Sequence, residues 1–84
     1  MRMPKVRNVL EYPDQTKVAG AKAALVGGGK IYRAVTDANG LWVLRVPGGE
    51  YHVTETVPTG ESYVHTVTVP KGYLGTYDLY NLLT

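Results

Sequence analysis

The chain has 84 residues, with 9 basic and 7 acidic side chains, a formal net charge of +2 and no cysteine. That length holds one domain with a thin core. The missing cysteines exclude disulfides, cysteine-ligated zinc and a thiol nucleophile, and the mild charge gives no ground for nucleic-acid binding.

The opening MRMPKVRNVL has no apolar run of signal-peptide length. No stretch approaches the ~20 apolar residues of a membrane span. A soluble chain is therefore expected, cytoplasmic, assembled into a particle, or exported without a classical signal, with no membrane insertion.

Gly (10) and Pro (5) punctuate the chain every ten residues or so, and no window sustains a capped 3.6-residue apolar period. That spacing predicts short strands joined by turns. Residues 1–5 form a basic arm with Arg2 and Lys5, followed closely by Arg7. The arm is either solvated or docked on an acidic neighbour.

The first strand is expected over residues 5–12, with a turn at Pro13-Asp14-Gln15-Thr16, where Pro suits the second turn position. A strand over 21–26 puts Ala21, Ala23 and Leu25 on one face, and Gly27-Gly28-Gly29 makes a flexible tip. The next strand covers 31–36. Asp37-Ala38-Asn39-Gly40 then reads as a tight turn, with Asx side chains bonding local backbone and Gly taking positive φ.

A strand over 41–46 places Trp42, Leu44 and Val46 on one face. After Pro47-Gly48-Gly49, a strand over 51–57 does the same with Tyr51, Val53 and Glu55. After Pro58-Thr59-Gly60, the strand over 63–69 alternates Tyr63, His65, Val67 and Val69 with Val64, Thr66 and Thr68. The turns at Gly27–Gly29 and Gly48–Gly49 are expected to face solvent. The segment 74–83 is a last strand or an extended tail.

Its apolar residues include Tyr77, Leu79 and Leu83 on one strand face and Tyr80 and Leu82 on the other. One face can close the core; the other then needs a partner. The predicted architecture is all-β: a single small antiparallel Greek-key sandwich of about seven strands, prealbumin-like or Ig-like, spanning 1–84 with a docking tail or strand at 73–84.

The predicted core is Leu25, Trp42, Leu44, Val46, Tyr51 and Val53. Glu55 conflicts with it, because alternation turns a carboxylate inward, which is costly unless it is paired or protonated. The aromatic set, 7 Tyr and 1 Trp with no Phe, suits half-buried rings, either as the rim of a small core or at an interface.

Catalytic and metal chemistry is not expected. His52 and His65 lie on separate strands and read as ordinary sheet histidines. Asp37-Ala38-Asn39-Gly40 lacks the remaining ligands of a calcium loop. Gly27-Gly28-Gly29-Lys30 fails the phosphate-loop spacing. Ser62 has no Gly-x-Ser-x-Gly setting. No catalytic residues, metal or cofactors are predicted.

The pieces VAGAKAAL, TDANGLWVLRV, PGGEYHVTETVPTGESY and HTVTVP resemble the B-type repeat domains of Gram-positive collagen adhesins and the related carboxypeptidase regulatory-like, or prealbumin-like, domains. Many such domains form a Lys–Asn or Lys–Asp isopeptide bond assisted by a buried Glu. The resemblance puts that Glu at Glu55 and the reactive Lys position at Arg7. Arg stays protonated and cannot be the nucleophile, and Lys5 is out of register. A non-covalent buried pair of Arg7 with Glu55 is therefore expected.

Val9-Leu10-Glu11-Tyr12-Pro13-Asp14, together with Val18-Ala19-Gly20-Ala21 and Tyr51-His52-Val53-Thr54-Glu55, also resembles domains in tail and fibre proteins of actinobacterial phages. That resemblance implies a non-enzymatic virion structural or decoration protein, made in the host cytoplasm. Its implied partners are other virion subunits, capsid or tail proteins, in many copies, and a host-surface glycan is a further candidate. Docking would run through the termini, with Arg2, Lys5, Tyr77, Leu79, Tyr80, Leu82 and Leu83 at the interface. The alternatives are a bacterial cell-surface adhesin or pilin-type module, and a glycan-binding module.

Overall fold

A computed structural model describes residues 3–72 and 75–79. The strands are β1 (Lys5–Val9), β2 (Lys22–Gly27), β3 (Lys30–Val35), β4 (Leu41–Arg45), β5 (Gly49–Thr56), β6 (Ser62–Val69) and β7 (Thr76–Asp78). They form two sheets, one ordered β4-β1-β7 and the other β3-β2-β5-β6. The chain is a small all-β sandwich. One pairing departs from the antiparallel expectation: β7 runs parallel to β1, with Val6 opposite Tyr77.

Alternation builds the core. In β1, Val6 and Asn8 turn inward, followed by Leu10 just beyond the strand, while Lys5 and Arg7 turn out. Ala23 and Leu25 of β2 oppose Glu55 and Val53 of β5 across the ladder, and all four are buried. Trp42 of β4 lies opposite Asn8 of β1. Each fully buried Val or Leu contributes about 1.5–3 kcal/mol.

Of the predicted core, Leu25, Trp42, Val46, Tyr51 and Val53 are buried, and Leu44 is half-buried against them. The core also includes Val6, Leu10, Val18, Val57 and Val69.

Turn chemistry follows the sequence closely. The Asp37 carboxylate accepts the N–H groups of Asn39 and Leu41. Thr36, buried just before, donates its hydroxyl to Val18 O at 2.6 Å and accepts Ala21 N–H at 2.9 Å, tying this turn to the loop before β2. Gly40 closes the turn at φ 76°, and a Cβ there would lie 2.5 Å from Leu10 O. The turn therefore needs Gly twice over, for backbone conformation and for space.

At the other tip Gly28 and Gly29 are exposed. Gly48 is not, contrary to expectation. It packs on the 70–72 turn, where an added Cβ would meet the Lys71 Cα at 2.7 Å.

The C-terminal segment contributes β7. Tyr77 and Leu79 are half-buried against the core, so this part of the expected interface covers the domain's own interior. Lys5 is exposed. Arg2, Tyr80, Leu82 and Leu83 lie outside the described residues.

Candidate functional site

The notable site is a polar cluster inside the sandwich. Glu55 is fully buried. Its Oε2 accepts Asn8 Nδ2–H at 2.8 Å and Trp42 Nε1–H at 2.7 Å. His65 Nε2 lies 2.9 Å from Oε1. An indole N–H and an amide Nδ2 only donate, so Oε2 is held as an acceptor. A carboxylate oxygen accepts, which assigns the proton of this contact to His65 Nε2, and the ring keeps about a quarter of its side chain in solvent.

The four residues come from four strands. Asn8 and Trp42 belong to the three-stranded sheet; Glu55 and His65 belong to the other. The carboxylate therefore bolts the two sheets together with directional bonds, where the surrounding Val and Leu side chains supply only non-directional burial. Every member must be present, because a buried donor without its acceptor costs about 1–3 kcal/mol.

The expected Arg7–Glu55 pair is not formed. Arg7 sits one residue away from the inward phase of β1, so its guanidinium leaves the core, and its Nε lies 3.2 Å from Asp78 Oδ2 near the surface. Asn8 occupies the place beside Glu55. The signal was present in the sequence: Val6 and Leu10 are the apolar pair of this strand, and they share Asn8's face. His65 was also missed as a partner, although alternation puts it in phase with Val67 and Val69.

No lysine amine reaches this cluster. Lys5, Lys17, Lys22, Lys30 and Lys71 are all exposed. The site holds a carboxylate, an amide, an indole and an imidazole but no lysine amine, so it lacks the group that an intramolecular Lys–Asn bond requires. Among the described residues no group of three or more His, Cys, Asp or Glu side chains could hold a metal ion, and no helix is long and apolar enough to cross a membrane.

Among the described residues, two open depressions can be placed on the surface. One is floored by Ala24 and flanked by Lys22, Arg33, Val35, Thr54 and Thr56 on the outer face of the four-stranded sheet. The other lies between the β2–β3 and β4–β5 turns, with Lys30, Tyr32, Tyr51 and Lys71 around it. There the Tyr51 hydroxyl donates to Pro47 O, and its ring meets Tyr32 edge-on with centroids 6.2 Å apart. Burial pushes the Tyr51 phenol above its ordinary pKa, with the neighbouring Tyr32 adding to the shift.

No protein-family model matches the chain, and no curated protein matches it. Solved structures do. A dioxygenase domain, from a dioxygenase carbohydrate-binding protein fusion of the cellulolytic bacterium Streptomyces sp. SirexAA-E, is similar at TM-score 0.69 and 12% identity, over 100% of this chain and 82% of that one.

The major pilin subunit BcpA of Bacillus cereus is similar at TM-score 0.68 and 19% identity, over 96% of this chain. A variant of the same pilin gives 0.63 and 18%. This chain spans only 29% of the length of that pilin. At these identities the likeness shows the small β-sandwich fold, and it carries no link to a phage tail.

Proposed function

We propose that this chain is a non-catalytic structural module of a bacterial surface assembly of the pilin or adhesin type. The reading rests on one observation: the chemically capable residues of the interior, Glu55, Asn8, Trp42 and His65, are bonded to one another between the sheets, where they stiffen the sandwich. A rigid sandwich that fits within a pilin chain suits a building block. Its partners are then other subunits of the same assembly, and it resides on the cell surface.

A second reading is favoured by a different observation. The Tyr12-Pro13-Asp14 opening and the Val69-Pro70 ending of β6 resemble modules of phage tail and fibre proteins, which makes the chain a virion component exposed on the particle.

Quantitative mass spectrometry of purified surface fibres and of purified phage particles from the source culture separates the two. Enrichment in fibres supports the first reading, and enrichment in particles supports the second. Recovery in neither fraction, with the chain free in the soluble extract, overturns both.

A further inference from the structure

Each sheet ends in two edge strands: β3 and β6 in one, β4 and β7 in the other. Edges are hazards that proteins guard with charge, shortness or proline. Three of these are guarded. β3 carries Lys30 and Arg33, β4 carries Arg45, and β7 is 3 residues long with Asp78 beside Arg7. β6 differs. Its 8 residues, Ser62–Val69, contain no charged side chain, no proline and no glycine. They pair with β5 in one unbroken register from Thr56–Ser62 to Gly49–Val69, without a bulge.

The backbone phase of that edge can be read out. Val57 N–H donates to Glu61 O at 2.9 Å. In an antiparallel ladder the residues alternate between bonding the partner and pointing away. Counting on from that bond, Tyr63, His65, Val67 and Val69 bond β5. The amide groups of Ser62, Val64, Thr66 and Thr68 therefore point off the sheet, and among the described residues no backbone hydrogen bond meets them. The side chains of the same four residues lie on the outer face and are exposed, Val64 at 67%.

We propose that β6 is a homotypic docking edge, to which a second copy of this chain adds its own β6 antiparallel across a two-fold axis. The occupant follows from self-complementarity. The register that engages all four outward-pointing residues centres the axis on His65. It pairs Ser62 with Thr68 of the other copy, and Val64 with its Thr66. Each pair exchanges two backbone hydrogen bonds.

β6 has no Lys, Arg, Asp or Glu, so no such like charges face each other, and the two His65 rings that meet at the axis lie on the inner face, each bonded to its own Glu55. The exposed Val64 packs on the methyl of a threonine. The inner faces of both four-stranded sheets stay on the same side, so two sandwiches join through one continuous sheet. An isologous contact of this kind closes on itself as a dimer. A charged partner strand would find nothing on β6 to pair with.

The inference deepens the assembly reading by naming the partner, and its test is made in solution, independent of where the chain resides. Sedimentation equilibrium of the purified 84-residue chain is compared with Val64→Lys/Thr66→Lys and Val64→Glu/Thr66→Glu. Both positions are exposed on the outer face, and folding of each variant is checked by Trp42 fluorescence during urea denaturation.

The wild type is expected to dimerise. Each variant alone should weaken association on the order of a hundredfold, because like charges then face each other across the axis. A one-to-one mixture should recover a heterodimer. A wild type that stays monomeric at about 1 mM overturns the proposal, as does a dimer unaffected by both variants or a mixture that fails to recover. If the wild type dimerises only after removal of residues 80–84, that segment holds the edge and the proposal is likewise wrong. None of these outcomes alters the fraction-by-fraction test of the assembly reading.

Discussion

Replacing Glu55 by Gln keeps the side-chain shape and changes only its bonding. One amide oxygen remains, and it must face Asn8 Nδ2–H and Trp42 Nε1–H, which lie 2.8 and 2.7 Å from Oε2. The new NH2 group then points at His65 Nε2, 2.9 Å from the former Oε1. Two donors cannot share that contact, so His65 must turn into an acceptor by carrying its proton on Nδ1.

The three charge-assisted bonds become ordinary ones, a loss of about 1–3 kcal/mol in all. Glu55→Ala is harsher. It leaves Asn8 Nδ2 and Trp42 Nε1 facing a void, at about 1–3 kcal/mol each, and adds a cavity term. Against the total of roughly 4–13 kcal/mol expected for a domain this size, the Ala variant should be marginal or unfolded.

Urea denaturation followed by Trp42 fluorescence measures both losses, and nitrogen-15 NMR of the histidine ring reads the tautomer. If Glu55→Ala is within about 0.5 kcal/mol of wild type, the cluster does not brace the sheets. If His65 keeps its Nε2 proton in the Gln variant, the assigned bonding is wrong.

Trp42→Ala should cost roughly 3–5 kcal/mol, and less when Glu55 is already Ala, because the indole N–H then has no acceptor to lose; a double-mutant cycle checks the coupling. Gly40→Ala should lower the thermal midpoint sharply, because a side chain at φ 76° with a Cβ 2.5 Å from Leu10 O costs about 1–3 kcal/mol in backbone strain alone; calorimetry reads it.

Tyr51 has its pKa raised above the ordinary tyrosine value of 10.0, by burial first and Tyr32 second. The folded state therefore holds the phenolic proton more tightly, so this contribution is complete below pH 10.0 and is lost as pH rises through the folded-state value. Stability measured by urea melts should fall in that alkaline range, and Tyr51→Phe should flatten this part of the profile.

Much of the architecture was legible in the sequence. Strand positions followed from period-2 alternation cut by Gly and Pro, and those signals are local, so the observed strands lie within a few residues of the expected ones. The Asp37–Gly40 turn was legible for the same reason: its bonds run from Asp37 to its own neighbours Asn39 and Leu41. Trp42, Val46, Tyr51 and Val53 were readable as core because each strand shows one apolar face.

Glu55 could be singled out as the residue that broke its strand's pattern, but its partners could not be chosen locally. The choice between Arg7 and Asn8 turned on the phase of a short strand, and a shift of one residue exchanges the two faces. Only the assembled sandwich brings Asn8, Trp42 and His65, 47, 13 and 10 residues from Glu55 along the chain, to the same carboxylate. The parallel pairing of β7 with β1 belongs to the tertiary structure as well. Pairing direction depends on how the chain returns across the sandwich, and nothing within Thr76–Asp78 encodes it.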